Sequence, residues 1–138
     1  MYEFSRAIYR ELAGDLITQP RSSASRRAFL EACEATLQRL ACDRHRFAKP
    51  ARSLFREVRG DFPLASQQRV YSVIAEQIAL ATEFVDRAFA EGRTPEGSLI
   101  ECHGVTRSGN GCRRLVVPGL QYCPSHRHLD SSILEASA

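Results

Sequence analysis

The sequence predicts a mainly α fold: about four helices over residues 1–92, a linker at 93–98, and a small β-hairpin or knuckle module at 99–128. Three observations carry this. Apolar residues recur at spacings of three and four from Phe4 to Phe89, the period of a half-buried helix. That period stops at Gly92, after which glycines and short β-like patches such as Leu115 to Val117 take over. Within that last stretch, Cys102, Cys112, Cys123 and His126 form the series C-x9-C-x10-C-x2-H.

Phe4, Ile8, Leu12 and Leu16, with Ala7 beside them, form the stripe of a first helix over Glu3 to Leu16. Gln19, Pro20 and the serines at 22, 23 and 25 interrupt it. A second helix is expected to open near Ser23 or Ser25, either of which can accept a bond from a free first-turn amide. It continues to about Cys42 with Phe29, Cys33, Leu37 and Leu40 on one face. Pro50 suits the first turn of a third helix carrying Leu54, Phe55 and Val58, because its missing amide has no partner to lose there. Gly60, Asp61 and Pro63 end it.

Ser66 is the expected cap of the longest helix, 66–91, whose inward stripe is Val70, Ile74, Ile78, Ala81, Val85 and Phe89. Val73, Leu80 and Phe84 widen that stripe, so this helix is expected to sit centrally or to pair with a second copy in a homodimer. Gly92 stops it, GRTPEGS supplies the linker, and residues 129–138 read as a short tail.

Three thiols and an imidazole complete a tetrahedron around Zn2+ without help from water, the mark of a structural site. The glycines between the ligands suit a chain that turns sharply around an ion, through positive φ or close backbone approach at Gly104 and Gly109. Gly109, Asn110 and Gly111 read as a tight turn before the second thiol, and Pro118 with Gly119 as another. Thr106 is placed to bond a local backbone group, and the Tyr122 ring to cover one side of the site. His103 and His128 offer alternative imidazoles or outer partners for the ligands; the C-x2-H spacing selects His126. Cys33 lies on an apolar stripe as a small core residue, and Cys42 lies near a helix end. An iron–sulfur cluster is the alternative occupant, but cluster motifs pack their cysteines more tightly than intervals of about ten residues.

The segment resembles a small bacterial and viral zinc-finger-like family whose pattern is C-x-G-x-T-x-x-G-x-x-C, a spacer, then Y-C-x-x-H. Cys102, Gly104, Thr106, Gly109, Cys112, Tyr122, Cys123 and His126 meet it. The resemblance implies metal binding by this part of the chain and leaves the helical part undescribed.

Charge is segregated. Arg39 to Arg59 holds Arg39, Arg44, Arg46, Lys49, Arg52, Arg56 and Arg59 against only Asp43 and Glu57, in a chain whose net charge is +3. The cysteine-rich segment adds Arg107, Arg113, Arg114 and Arg127 against Glu101. Arg44, Arg46, Lys49, Arg52, Arg56, Arg59, Arg107, Arg113 and Arg114 are therefore the candidate nucleic-acid contacts, directed at phosphates rather than bases. A charged run that is merely a solvated face is the competing explanation.

Five cysteines without an apolar export segment argue against a disulfide framework, and no run approaches the roughly 18 apolar residues of a membrane span. No serine elbow, phosphate loop or Glu-x-x-His appears, and Asp15, Glu31, Glu34, Glu76 and Glu83 read as solvated surface. The expectation is a cytoplasmic, bacterial, non-enzymatic zinc protein that regulates transcription or otherwise binds DNA or RNA. The alternatives are a protein-interaction adaptor shaped by zinc, and an iron–sulfur or thiol redox sensor.

Overall fold

The structure, a computed structural model, describes residues 1–17 and 22–130. It is mainly helical, with α1 (Tyr2–Leu12), α2 (Ser22–Asp43), α3 (Pro50–Val58) and α4 (Gln67–Ala90), and short 3-10 turns at Ala13–Asp15, Arg59–Asp61, Leu64–Ser66 and Arg127–Leu129. The chain forms two compact units, Met1–Glu83 and Phe84 onward.

The first unit is organised around the inward faces of its helices. Ile8 and Leu12 of α1, Phe29, Cys33, Leu37 and Leu40 of α2, Leu54 and Val58 of α3, and Val70, Ile74 and Ile78 of α4 share one core. Phe29 is its hub, stacked on Tyr9 at 6.2 Å and edge-on to Phe62 at 5.3 Å between ring centroids. Burial of Phe29 and Phe62 stabilises the fold by roughly 1.5–3 kcal/mol each, with about 0.5–1.5 kcal/mol more from the ring pairing, and the partly buried Tyr9 contributes less. Among the described side chains, no buried nitrogen or oxygen lacks a hydrogen-bond partner. Buried Ser5, for example, donates to the Tyr2 carbonyl at 2.9 Å.

The helix ends differ from expectation in informative ways. α1 stops at Leu12 rather than Leu16, yielding to the 3-10 turn, and Leu16 stays buried beyond it. Arg69 of α4 fastens this end: it pairs with Asp15 and donates to the Glu11 carbonyl at 3.4 Å, one of the carbonyls that a helix terminus leaves open. Asp15 is thus a partly exposed surface carboxylate with an ion-pair partner. The Ile17 amide donates to the Asp61 carbonyl at 2.9 Å and ties the two inter-helix turns together.

Ser23 and Ser25 lie inside α2, which is already helical at Ser22; Gln19 and Pro20 lie outside the described residues. Pro50 opens α3 as expected, and the helix gives way to a 3-10 turn at Arg59. Ser66 immediately precedes α4, but its hydroxyl donates back to the Pro63 carbonyl at 3.0 Å. It closes a 3-10 turn instead of capping the helix. Val73 is buried, whereas Leu80 and Phe84 are exposed, so the core covers only part of the apolar surface that the sequence offers.

In the second unit no strand ladder forms among the described residues. The expected β-hairpin is replaced by single antiparallel pairings, Arg93 with Leu99, Glu101 with Leu115, and Val105 with Gly111. The first and third flank two turns of one design. In each, a threonine amide bonds the carbonyl four residues on, a glycine amide bonds back to that threonine's carbonyl, and the glycine takes positive φ: Gly97 at 89° and Gly109 at 82°. Each is a three-residue loop closed by a left-handed glycine between single bridged residues, without the strands of a hairpin.

Candidate metal centre

Alternation along one limb positions the first ligand. Cys102 and Gly104 point inward and are buried, while Glu101, His103 and Val105 point outward. The limb is held on both sides: the Cys102 amide donates to the Arg114 carbonyl at 2.8 Å, and the His103 amide to the Gln121 carbonyl at 3.1 Å. Cys112 enters from the returning limb, its amide donating to the Gly104 carbonyl at 2.8 Å. The turn that returns it centres on Arg107 and Ser108 and closes at Gly109, earlier than the expected Gly109 to Gly111. Thr106 steadies it, its hydroxyl donating to the Asn110 carbonyl at 3.0 Å.

The third and fourth ligands come from a second turn system. Pro118 and Gly119, the latter at φ 80°, reverse the chain with the Leu120 amide bonded to the Val117 carbonyl at 2.9 Å. Further along, Cys123 opens a turn whose His126 amide donates to the Cys123 carbonyl at 2.9 Å, which brings the C-x2-H pair onto one side. Arg114 braces this turn by donating to the Ser125 hydroxyl at 2.7 Å.

The four side chains converge as the sequence predicted. Their Sγ atoms and a ring nitrogen of His126 all lie within 4.8 Å of one another and can hold a metal ion. His126 uses Nδ1, 3.4 Å from the Cys102 Sγ and 3.6 Å from the Cys123 Sγ, and the Cys112 and Cys123 sulfurs are 3.9 Å apart. No disulfide joins them; all five cysteines are free. The three cysteines are buried, with Tyr122 packed against them. His103 and His128 are both exposed and do not join the donor set.

Two thiols of the cluster, Cys112 and Cys123, are shifted in opposite directions. Cys123 is held below the ordinary thiol value: burial pushes it up, but the amides of His126 and Ser125 and the Cys102 thiol outweigh that. For Cys112 the Arg114 amide works downward, yet burial and the neighbouring Cys123 and Cys102 sulfurs leave it raised. Three thiols this close resist ionising together unless a cation compensates them.

Gly104 has a role that spacing alone did not reveal. A Cβ there would stand 2.5 Å from His126 Nδ1 and 2.7 Å from its Cγ, so only glycine lets the imidazole seat. Its φ is not positive. Of the two properties expected of Gly104 and Gly109, Gly104 thus supplies the close approach and Gly109 the left-handed turn.

The basic candidates fall on both units. Arg44, Arg46, Lys49, Arg52, Arg56 and Arg59 lie in the first, between the end of α2 and the end of α3, and all but the half-buried Arg44 are exposed. Arg52 and Arg56 follow one side of α3 at helical spacing, and Arg59 opens the 3-10 turn just beyond its end. Arg107, Arg113 and Arg114 lie in the second unit and are exposed beside the cysteine cluster. Among the described residues, no helix is long and apolar enough to cross a membrane. No family model, curated protein or solved structure matches the chain.

Proposed function

We propose that this protein is a non-enzymatic nucleic-acid-binding protein whose second unit is held together by one structural Zn2+. The metal assignment rests on the size of the donor cage. Zn–S bonds of about 2.3 Å and Zn–N bonds of about 2.0–2.1 Å give tetrahedral edges of about 3.8 Å between sulfurs and about 3.6 Å from sulfur to nitrogen. Three of the six edges, 3.9, 3.6 and 3.4 Å, fall close to these values, and all lie within 4.8 Å. An iron–sulfur cluster divides its ligands between separate irons, so its donors spread wider than one ion's shell. Four protein donors leave no open position for substrate or water, which favours a structural over a catalytic ion. The donor set and turn residues are those of the zinc-finger-like family that the motif resembles.

The nucleic-acid reading is carried by one observation: five exposed cations, Arg46, Lys49, Arg52, Arg56 and Arg59, crowd 14 consecutive residues that hold a single acid, Glu57. Such a stretch neutralises phosphates and releases their counterions. Binding to labelled DNA and RNA, followed as a function of salt, tests it. Replacing Arg52, Arg56 and Arg113 with alanine is expected to weaken binding across all sequences and to flatten the salt dependence by about one unit for each phosphate no longer neutralised. Absence of binding at low salt sinks it.

A second function has an observation of its own. Leu99, Val105 and Leu115 are exposed on the second unit, a face suited to a protein partner in an adaptor shaped by zinc. Retention of a partner by a Leu99, Val105 and Leu115 triple serine variant would remove that alternative.

A further inference from the structure

The first unit contains a groove of about 350 Å3 lined by Lys49, Pro50, Ala51 and Arg52 at the start of α3 and by Tyr71, Ala75, Ile78 and Ala79 of α4. Three kinds of residue give it its character. Lys49 and Arg52 are exposed cations, Ala51, Ala75 and Ala79 keep the walls low, and Tyr71 contributes an aromatic ring that is 41% exposed. Phe55 holds that ring in an edge-on contact, 5.3 Å between centroids at 73°, so its orientation is set before any ligand arrives.

We propose that this groove takes an unpaired nucleobase stacked on Tyr71, with the adjoining phosphates on Lys49 and Arg52. The occupant is therefore a single strand. This inference rests on the nucleic-acid function proposed above and narrows its substrate class.

Two physical arguments select that occupant. The groove lies at the small end of ligand sites, roughly 300–1,000 Å3, and suits a base with its sugar. A docked helix, about 10–12 Å across with its side chains, needs more room. Aromatic rings beside cations are also the recurring platform for single strands, since every base offers a π face and every linkage a negative charge. A duplex keeps its bases stacked inside and has nothing to offer Tyr71. The groove thus adds preference for strand state without base sequence preference.

The test uses the full, metal-loaded chain with a fluorescent 12-nucleotide oligothymidine, a hairpin duplex of 12 base pairs and poly-glutamate as probes, at low and moderate salt. Tyr71→Leu keeps an apolar side chain against Phe55 but removes the flat ring; Tyr71→Phe keeps the ring. The single strand is expected to bind more tightly than the duplex. Tyr71→Leu should weaken single-strand binding roughly 5- to 150-fold, the range for losing one stacked base, while Tyr71→Phe stays within about twofold of the wild type. Duplex binding should change little in either variant. Lys49→Ala should lower the salt slope by about 0.7, as expected for one phosphate of a single strand.

Equal binding of both nucleic acids with no effect of Tyr71→Leu would overturn the inference and leave the general nucleic-acid function standing. No binding of either nucleic acid would overturn both. Poly-glutamate binding with the same dependence on Tyr71 would assign the groove to an acidic peptide and overturn the single-strand proposal. Unchanged circular dichroism of Tyr71→Leu confirms that its loss of binding reports on the groove.

Discussion

At the scale of single residues, the four proposed ligands do not share the same protection from error. His126 depends on the space left by Gly104, whose missing Cβ would otherwise stand 2.5 Å from Nδ1. Gly104→Ala should therefore lower metal affinity although it changes no ligand, and competition with a chromophoric chelator would show it; unchanged affinity would mean that the imidazole does not need that space. The two remaining cysteines should behave in opposite ways. Burial, with Glu34 and Glu57 nearby, pushes the Cys33 thiol up to about 12, and it lies in the core. Cys42 is exposed and accepts a bond from the Gln38 amide at 3.3 Å. In the folded, metal-loaded protein a thiol reagent should modify Cys42 quickly and Cys33 only on unfolding, because the thiolate is the reactive form and must be reached. Mass mapping of the labelled peptides checks this, and early labelling of Cys33 would contradict it.

At the scale of elements, the helices were legible because a buried face imposes a period that few other structures share. Pro50 marked the start of α3 for a purely local reason, the missing amide. Helix ends resisted prediction where the deciding contact is distant: α1 is fastened by Arg69, 58 residues beyond Glu11. Ser66 has the residue type of a cap, but residue type does not say which way a hydroxyl will bond. The cysteine turn differs from its expected place because Gly109 and Gly111 are equally permissive on paper, and only Gly109 takes positive φ. Gly109→Ala should accordingly destabilise the module by roughly 1–2 kcal/mol, the cost of a left-handed alanine. Gly111→Ala, with open space around its Cβ, should cost much less. Thermal melts of the two variants distinguish the turns, and equal losses would refute the assignment. In the first unit, Leu54→Ala at a fully buried position of α3 should cost about 2–5 kcal/mol in denaturant unfolding.

For the whole molecule, the two compact units should differ in what stabilises them. The first has an apolar core assembled from four helices. The second buries three cysteines with Tyr122 against them and, apart from these, few large apolar side chains such as Val85 and Val116, so in the account proposed above a bound ion would supply much of its folding free energy. The clustering of Cys102, Cys112, Cys123 and His126 was readable from spacing, whereas the braces around it, such as Arg114 on Ser125, come from a fold that spacing does not describe. Chelation should therefore collapse the dispersed amide resonances of residues 92–130 while the helical signal persists. Loss of both together would show one cooperative body. The most direct test of the central claim is metal analysis of purified protein, wild type and Cys112→Ser, by mass spectrometry under native conditions. One Zn2+ per wild-type chain and loss of the ion with unfolding of the second unit in the variant are predicted; a metal-free wild type, or a variant that folds identically without metal, would contradict it.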